Sequence, residues 1–588
     1  MKYFLAFLML CVSICASIAQ YSFVDGTILA QIAAPAGGEG VAVGDFNNDG
    51  YDDFYVSYPE GSNLLYKNLG DGTFVEIGEA AGVAQSEAID SRAAVWGDIN
   101  NDGWIDLYVG NKFAPDELLL NLGNEKFEAI TATANIFQLG HPKSVNMADV
   151  NADGYLDIYV SNFVGENVLY LNNGDLSFTD FTITAGALDR GRAMGSIFFD
   201  YDKDGDLDLY LVHDGNEPNF LYQNDGTGRF TEVGVAAGVA TASFGMGVDV
   251  GDVNNDGWLD IYITNLGPNF LLLNNGDGTF SDISATANIG DAGMGWGISF
   301  LDYDNDGWLD IYVSNDAQFS SFIYPNVLYH NQGDLTFEVM DYTQADIRLD
   351  RSYGAACTDF DLDGRQDILF VNKGDSEGLR LLKNEQARTA WLGLHLVGTV
   401  SNRDAVGAKI AITNAEGQTY YREVVAGQSW ASQNSSIVHF GLGATSRIQA
   451  LRVIWPSGEV TNFEINVINQ FYTVLEDGSL YDGILYPAIS TQTKSFITKT
   501  ASFGLFPNPS NGIFALNFTT PMNAPFFIEV YDLLGRLIFQ KKVRSTPATN
   551  IFEVSLAAAP LSTSGVWVRV FNEQFSLSKY MSIQNRTQ

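Results

Sequence analysis

One segment limits what this chain can fold into, because it occurs seven times. Asp302 to Val313 reads DYDNDGWLDIYV, and related copies begin at Asp45, Asp98, Asp149, Asp200, Asp252, Asp302 and Asp359. The intervals are 53, 51, 51, 52, 50 and 57 residues. Every copy keeps Asp at position 1, Asp or Asn at 3, Asp at 5, Gly at 6 and Asp at 9. Self-similarity at a period near 50 residues means that one supersecondary unit is repeated in a propeller or an array.

Alternating acidic residues on a tight turn gather several carboxylates around one point, and Gly at position 6 permits the bend. Carboxylates this close repel one another unless a hard cation sits among them. An all-oxygen shell of this kind suits Ca²⁺, completed by the position 7 carbonyl and water. The candidate ligands of the first loop are Asp45, Asn47, Asp49 and Asp53, and of the second Asp98, Asn100, Asp102 and Asp106. The third offers Asp149, Asn151, Asp153 and Asp157, and the fourth Asp200, Asp202, Asp204 and Asp208. Asp252, Asn254, Asp256 and Asp260 follow in the fifth, and Asp302, Asp304, Asp306 and Asp310 in the sixth. Asp359, Asp361, Asp363 and Asp367 make the seventh, so up to seven Ca²⁺ are expected. An EF-hand needs a bidentate Glu at position 12 and flanking helices. Position 12 here is Val56, Val109, Val160, Leu211, Ile263, Val313 and Phe370, an apolar strand residue each time. A lone DxNxDG reads equally as a surface turn, but its recurrence with Asp at position 9 favours the cation.

A finer grammar surrounds each loop. A Gly-rich segment precedes it (GEGVAVGD, FGMGVDVGD) and a strand such as DFYVS or DIYVS follows. A further strand (NLLYKN, NVLYLN) leads through NLGDGTF or NNGDGTF into a last one. Asp-Gly between apolar runs is a hairpin signal. Four antiparallel strands per repeat predict an all-β fold, a seven-bladed β-propeller with the small residues of the first strand nearest the axis. The seventh repeat lacks its final hairpin, while the segment YSFVDGTILAQI near the N-terminus looks like a last strand. Phe23 to Ile32 is therefore expected to complete blade seven and close the ring non-covalently.

These repeats, over roughly residues 20–390, resemble the FG-GAP/VCBS repeats of integrin α-subunit propellers. The resemblance implies that the calcium loop joins the first and second strands of a blade, with ligands at positions 1, 3, 5 and 9. Residues 391–478 resemble the ASPIC/UnbV domain of the cartilage acidic protein family, on Gly407-Ala408, Ser432-Gln433, His439 to Gly443 and Trp455 to Gly458. That resemblance supplies no catalytic residue, and His439 is expected to sit in a sheet with backbone partners. Residues 479–500 contain a Ser/Thr-rich stretch and read as a linker. Residues 501–588 resemble the C-terminal sorting domain of type IX secretion cargo, on Phe506-Pro507-Asn508-Pro509, Asn511-Gly512, the turn at Tyr531–Arg536 and the strand SGVWVRV. This implies a Bacteroidetes-type bacterium and delivery by the type IX machinery to the surface or medium.

Residues 1–19 form a secretory signal: Lys2, an apolar run from Tyr3 to Ile14, and the small-x-small site Ser17-Ile18-Ala19. The run is too short to span a bilayer, so no transmembrane segment is expected after cleavage. The mature chain keeps one cysteine, Cys357, and no internal disulfide can form. A formal charge of −40 argues against nucleic acid as a partner. A 46% hydrophobic content with 17% charged residues fits packed cores rather than disorder.

No GxSxG, HExxH, Walker loop or CxxC pair occurs in the mature chain, and His141, His213, His330, His395 and His439 lack ligand spacing. Gly245–Gly251, GMGVDVG, falls on an expected inner strand and opens no helix, which argues against a nucleotide loop. The leading expectation is a secreted or cell-surface, non-catalytic binding or adhesion module for an extracellular glycan or protein. The alternative is a polysaccharide hydrolase or lyase with its site in the propeller channel. Residues six and eight before each loop's first Asp enter the inner strand at the mouth opposite the loops, with shared parity. Arg92, His141, Lys143 and Arg192 form a basic arc there, and Phe244, Met246, Met294 and Trp296 an apolar one, with Arg351 and Tyr353 between. Cations hold carboxylate or sulfate and aromatic rings stack on sugars, which suggests an acidic glycan. The plainer reading pairs these cations with Asp90, Asp189 and Asp350 and packs the aromatics between blades.

Overall fold

The computed structural model describes residues 22–85, 89–318, 323–343, 347–373 and 378–487, together with the strands between 503 and 582. The segment read as a secretory signal and residues 488–500 of the expected linker lie outside the described residues. The chain divides into two compact units, one ending at Tyr486 and one beginning at Pro487.

Blade one runs outward as Val41–Gly44, Asp53–Val56, Leu64–Asn68 and Phe74–Glu76, hydrogen-bonded in that order. Five more four-stranded sheets repeat the plan, starting at Ser91–Gly97, Pro142–Ala148, Ala193–Phe199, Gly245–Gly251 and Gly295–Leu301. A seventh sheet joins Ser352–Thr358, Asp367–Asn372 and Leu379–Asn384 to Phe23–Asp25, with Phe23 opposite Asn384. Each inner strand lies against the next, and the seventh lies against the first. The N-terminal strand thus closes the ring as the outer edge of the last blade, within the expected Phe23 to Ile32 segment.

Second strands are near-continuous apolar runs because each sheet is covered on both faces by its neighbours. Tyr55, Tyr108, Tyr159, Tyr210, Tyr262 and Tyr312 are fully buried at equivalent places in six blades. The inner strands need small residues because blades converge. A Cβ on Gly247 would lie 2.4 Å from the Trp296 carbonyl oxygen of the next blade.

A girdle of asparagines ties the blades together. Each third strand ends in Asn, whose Nδ2 donates to the position 2 carbonyl of the preceding blade's loop. Asn121 reaches Phe46 at 2.8 Å, Asn172 reaches Ile99 at 2.8 Å and Asn224 reaches Val150 at 2.8 Å. Asn274 reaches Tyr201 at 2.9 Å, Asn331 reaches Val253 at 2.8 Å and Asn384 reaches Tyr303 at 2.7 Å. Asn68 of blade one completes the circuit at Phe360 of blade seven, 2.9 Å away. The junction between the first and last blades is therefore bonded like every other one.

Residues 390–486 build two further four-stranded sheets. One orders Val438–Gly443, Ala390–Val397, Gln470–Leu475 and Leu480–Asp482, and the other Thr419–Glu423, Lys409–Asn414, Ile448–Ile454 and Val460–Phe463. This layer runs past Gly478 into the segment read as linker, because Leu480–Asp482 supplies the partner for the edge of Gln470–Leu475. In the second unit, Phe503–Phe506, Ile513–Phe518 and Ile551–Ser555 form one antiparallel sheet. Leu537–Val543, Phe526–Asp532, Gly565–Asn572 and Phe575–Ser582 form another. The Pro507 to Gly512 and Leu533–Arg536 turns lie outside the described residues.

Candidate functional site

All seven acidic loops join the first and second strands of a blade and share one backbone path. Position 4, occupied by Asn48, Asn101, Ala152, Lys203, Asn255, Asn305 and Leu362, is left-handed with φ of 54 to 61°. The position 6 glycines have φ of 87 to 102°, a region open to Gly at little cost. This turn lets the position 1 carboxylate accept the position 6 N–H, as in Asp45–Gly50 at 2.7 Å, Asp98–Gly103 at 2.6 Å and Asp359–Gly364 at 2.7 Å. The position 9 carboxylate sits deeper and braces the loop. Asp53, for example, accepts from the Phe46 N–H at 3.2 Å and the Asn68 N–H at 2.7 Å.

The donor set fits a hard divalent cation. Asp200, Asp202, Asp204 and Asp208 offer oxygens that all lie within 4.8 Å of one another, as do Asp302, Asp304 and Asp310, and Asp359, Asp361 and Asp367. One oxygen each of Asp200, Asp304 and Asp361 is buried without a hydrogen-bond partner. Burial, followed by neighbouring carboxylates, pushes Asp208 up to about 9. Burial likewise raises Asp45 to about 7 and Asp252 to about 6. Buried carboxylates so disfavoured need a counter-cation to stay ionised. Positions 1, 3, 5 and 9 are the side chains that would hold Ca²⁺, which would supply that positive charge.

The layer built from residues 390–486 lies over this loop face. Asp404 Oδ2 accepts the Asp98 N–H at 2.7 Å, and Asn101 Oδ1 accepts the Arg403 N–H at 2.8 Å. Lys409 pairs with Asp200, and the Tyr486 hydroxyl bonds to Asp45. The Trp391 indole covers Gly364 so closely that an added Cβ would meet it at 2.0 Å. His439 Nε2 lies 2.6 Å from Asn305 Oδ1, and its ring stacks on Trp391. His439 thus faces a side chain of loop six instead of the expected backbone partner, because its strand edge abuts the propeller.

From the same layer, residues 426–435 descend into the channel. Inner strands are sheet edges whose N–H and C=O groups need partners, and this segment supplies them to six of the seven blades. Gln433 exchanges bonds with Val41 and Val43 at 3.0 Å, and its Oε1 accepts the Trp96 N–H at 2.7 Å. Met147 N–H donates to the Ala426 carbonyl at 3.2 Å, and Ser429 pairs with Val248 at 2.8 and 3.2 Å. Ser429 Oγ accepts the Ile298 N–H at 3.0 Å, and Asn434 Oδ1 accepts the Cys357 N–H at 2.9 Å. Trp430, at the tip of this plug, is fully buried.

Around Trp430 stand the residues six before each loop: Glu39, Arg92, Lys143, Met194, Met246, Trp296 and Tyr353. Trp296 stacks on Tyr353 at 4.6 Å and meets Trp430 edge-on at 4.6 Å. Met194 and Met246 belong to the same buried cluster. Lys143 lies over the Trp430 ring at 5.1 Å, and Lys373 over Tyr353 at 4.0 Å. Glu39, completely buried, takes Lys143 at 2.9 Å, Arg92 at 3.1 Å and Lys373. Burial works against its charge, yet the three cations hold its carboxyl far below the usual range. Arg92 also reaches Asp90 at 2.7 Å. Burial and nearby cations push His141 down to about 3, which leaves its ring neutral.

The other expected residues are not partners of Glu39. Arg351 forms a bidentate pair with Asp316 at 2.8 and 2.9 Å. The backbone N–H of Arg192, an exposed residue, donates to Glu217, and Phe244 is half-exposed. Asp189 is taken by His213 at 3.2 Å, and Asp350 by Arg380 at 3.0 Å. Sequence reasoning missed Glu39, although the six-before count that pointed to Arg92 and Lys143 lands on it in blade one. Lys373 and Trp430 carried no such signal.

Comparison with known families agrees with this layout. The FG-GAP-like repeat matches residues 45–109, 98–160, 149–211, 200–263 and 252–313. ASPIC and UnbV matches residues 398–480, and the secretion system C-terminal sorting domain matches residues 504–572. The chain therefore carries FG-GAP-like repeats, an ASPIC and UnbV domain and a secretion system C-terminal sorting domain, and the last indicates type IX secretion to the cell surface or extracellular space. It is similar to Cartilage acidic protein 1 of Mus musculus, 28% identical over 502 residues, covering 76% of this chain and 74% of that protein. The Homo sapiens protein of that name is 30% identical over 196 residues, which span 31% of this chain and 29% of the human one. The Xenopus tropicalis match, also 30% identical, spans 32% of this chain and 31% of the frog protein. Among solved structures, an Agrocybe aegerita lectin superposes with a TM-score of 0.36 at 20% identity, covering 57% of this chain and 85% of the lectin, a level that carries no functional weight. Among the described residues no helix is long and apolar enough to cross a membrane.

Removal of residues 501–588 is expected to leave the protein inside the outer membrane. Cell fractionation checks this, and unchanged delivery of the truncated chain would overturn the role of the tail.

Proposed function

We propose that this protein is a secreted, calcium-stabilised binding protein without catalytic activity, which engages an extracellular glycan or protein on the face opposite its calcium loops. The observation that carries this reading is the plug. A hydrolase or lyase working in the channel needs a cleft with an available acid and base. The channel instead holds residues 426–435, and the buried carboxylate beside them, Glu39, is committed to three cations. The loop face is covered by the second layer, which leaves the opposite face for a partner.

That face offers chemistry for an acidic glycan. Among the described residues, Arg92, Lys112, Lys143 and Lys373 pair with Asp90 and Glu39, in a chain of formal charge −40. Beside them Phe113 is 60% exposed, with Lys112 over its ring at 5.8 Å and the His141 ring 5.9 Å away. Exposed rings beside cations can stack on a sugar while the cations hold its carboxylate or sulfate. The test is a glycan array with the secreted chain and with Arg92→Ala plus Arg351→Ala, both checked for an unchanged fold. Wild type should retain uronic-acid or sulfated glycans, and the double variant should bind them roughly tenfold more weakly. Equal binding would move the site elsewhere, and release of a cleaved product would favour the enzyme.

A further inference from the structure

In six of the seven loops the residue before the girdle asparagine varies together with position 3 of its own loop. Where position 3 is Asp, the third strand supplies a donor. Gln223 Nε2 donates to Asp202 Oδ2 at 2.7 Å, and Lys383 pairs with Asp361. The His330 ring lies 3.6 Å from Asp304 and 3.2 Å from Asp310. Where position 3 is Asn100, Asn151 or Asn254, the strand residue is Leu120, Leu171 or Leu273. There the amide turns instead to position 5, at 2.9, 3.0 and 2.8 Å. In loop one, Lys67 stands at this place and pairs with Glu125. A fourth ligand carboxylate thus comes with its own donor.

Loop seven goes further. Its position 7 residue, Arg365, folds back on Asp363, with Nε 3.0 Å from both carboxylate oxygens. Two of its four carboxylates, at positions 3 and 5, are therefore already ion-paired inside the chain, which leaves a formal charge of −2 on the set. Loops one, two, three and five carry three ligand carboxylates, and loop four keeps −3 after pairing Asp200 with Lys409. Loop seven belongs to the blade assembled from both ends of the propeller segment, where Lys383 lies opposite Val24.

We infer that Lys383 and Arg365 make loop seven the weakest of the seven calcium sites, so that the chain's own cations hold the loop at the ring seam. This inference rests on the calcium reading of the loops. An entering ion must displace or share two ion pairs in loop seven, and pairs of this exposure are worth enough together to weaken binding roughly tenfold.

Native mass spectrometry of the secreted full chain, titrated with calcium, tests it. Wild type should show a plateau at six ions, with the seventh joining at roughly tenfold higher free calcium. Lys383→Leu combined with Arg365→Gln should abolish the plateau and load seven ions in one phase. Asn254→Asp with Leu273→Lys copies the Lys–Asp pair into loop five and should weaken that site, which lowers the plateau to five. Seven ions loading together in wild type would overturn the inference and leave the calcium reading intact. So would a six-ion plateau that persists in the first variant with an unchanged melting curve in saturating calcium. A chain that takes up no calcium would overturn both.

Discussion

Exhaustive chelation is expected to lower the melting temperature of the secreted protein by at least about 15 °C, with full recovery on adding Ca²⁺ and poor recovery with Mg²⁺. A ligand that binds only the folded state stabilises it by about 2.7 kcal/mol per site at a hundredfold excess over Kd. Several such sites together match the whole stability of an ordinary domain, about 5–15 kcal/mol. The effect should be large here because the loops are also mechanical joints. Each position 9 carboxylate is hydrogen-bonded to the girdle asparagine that links one blade to the next, as Asp106 is to Asn121 at 2.8 Å. Repulsion released in one loop therefore reaches a blade junction. Mg²⁺ demands near-ideal octahedral geometry at short distances, and loops that present oxygens from alternating residues suit the larger ion. Differential scanning calorimetry with and without chelator decides the matter, and an unchanged curve would rule out structural calcium.

Trp430→Ala is expected to destabilise the first unit by about 3–5 kcal/mol, the usual cost of truncating a buried Trp, and to move a single cooperative transition. The indole is fully buried between Trp296 and Tyr353, and the plug on either side bonds to six inner strands. Losing the indole leaves a cavity on the propeller axis, where the blades converge and have least room to collapse. Because the plug belongs to the layer over the loops, propeller and layer should unfold together. Urea denaturation followed by Trp fluorescence and far-UV dichroism checks this. Two separate transitions, with the propeller midpoint unchanged, would mean that the plug is a passive occupant.

The loops, the four-strand grammar and the seam at Phe23–Asp25 were legible because they are local and repeated. Asp-x-Asp-x-Asp-Gly encodes its own turn through Asx hydrogen bonds and a left-handed residue, and the strands declare themselves by apolar runs bounded by turn residues. The asparagine at the end of each third strand was visible in NLLYKN or NVLYLN, but its role was not. The acceptor for Asn121 is Phe46, 75 residues earlier, and no local pattern announces a partner that distant. His439 was misread for the same reason: its partner Asn305 belongs to a loop 134 residues away.

The sequence by itself determined a ring of repeated antiparallel sheets with acidic loops on one face, because each of those features is written within about a dozen residues. Only the tertiary structure decided what fills the ring and how charge is balanced there. The segment 426–435 has no periodicity, and its conformation is dictated by unpaired backbone groups on strands from six different blades. Glu39, Lys143 and Lys373 lie hundreds of residues apart at the extremes, yet they meet because seven blades converge on one axis. A buried carboxylate stays charged there only when cations from other blades arrive with it.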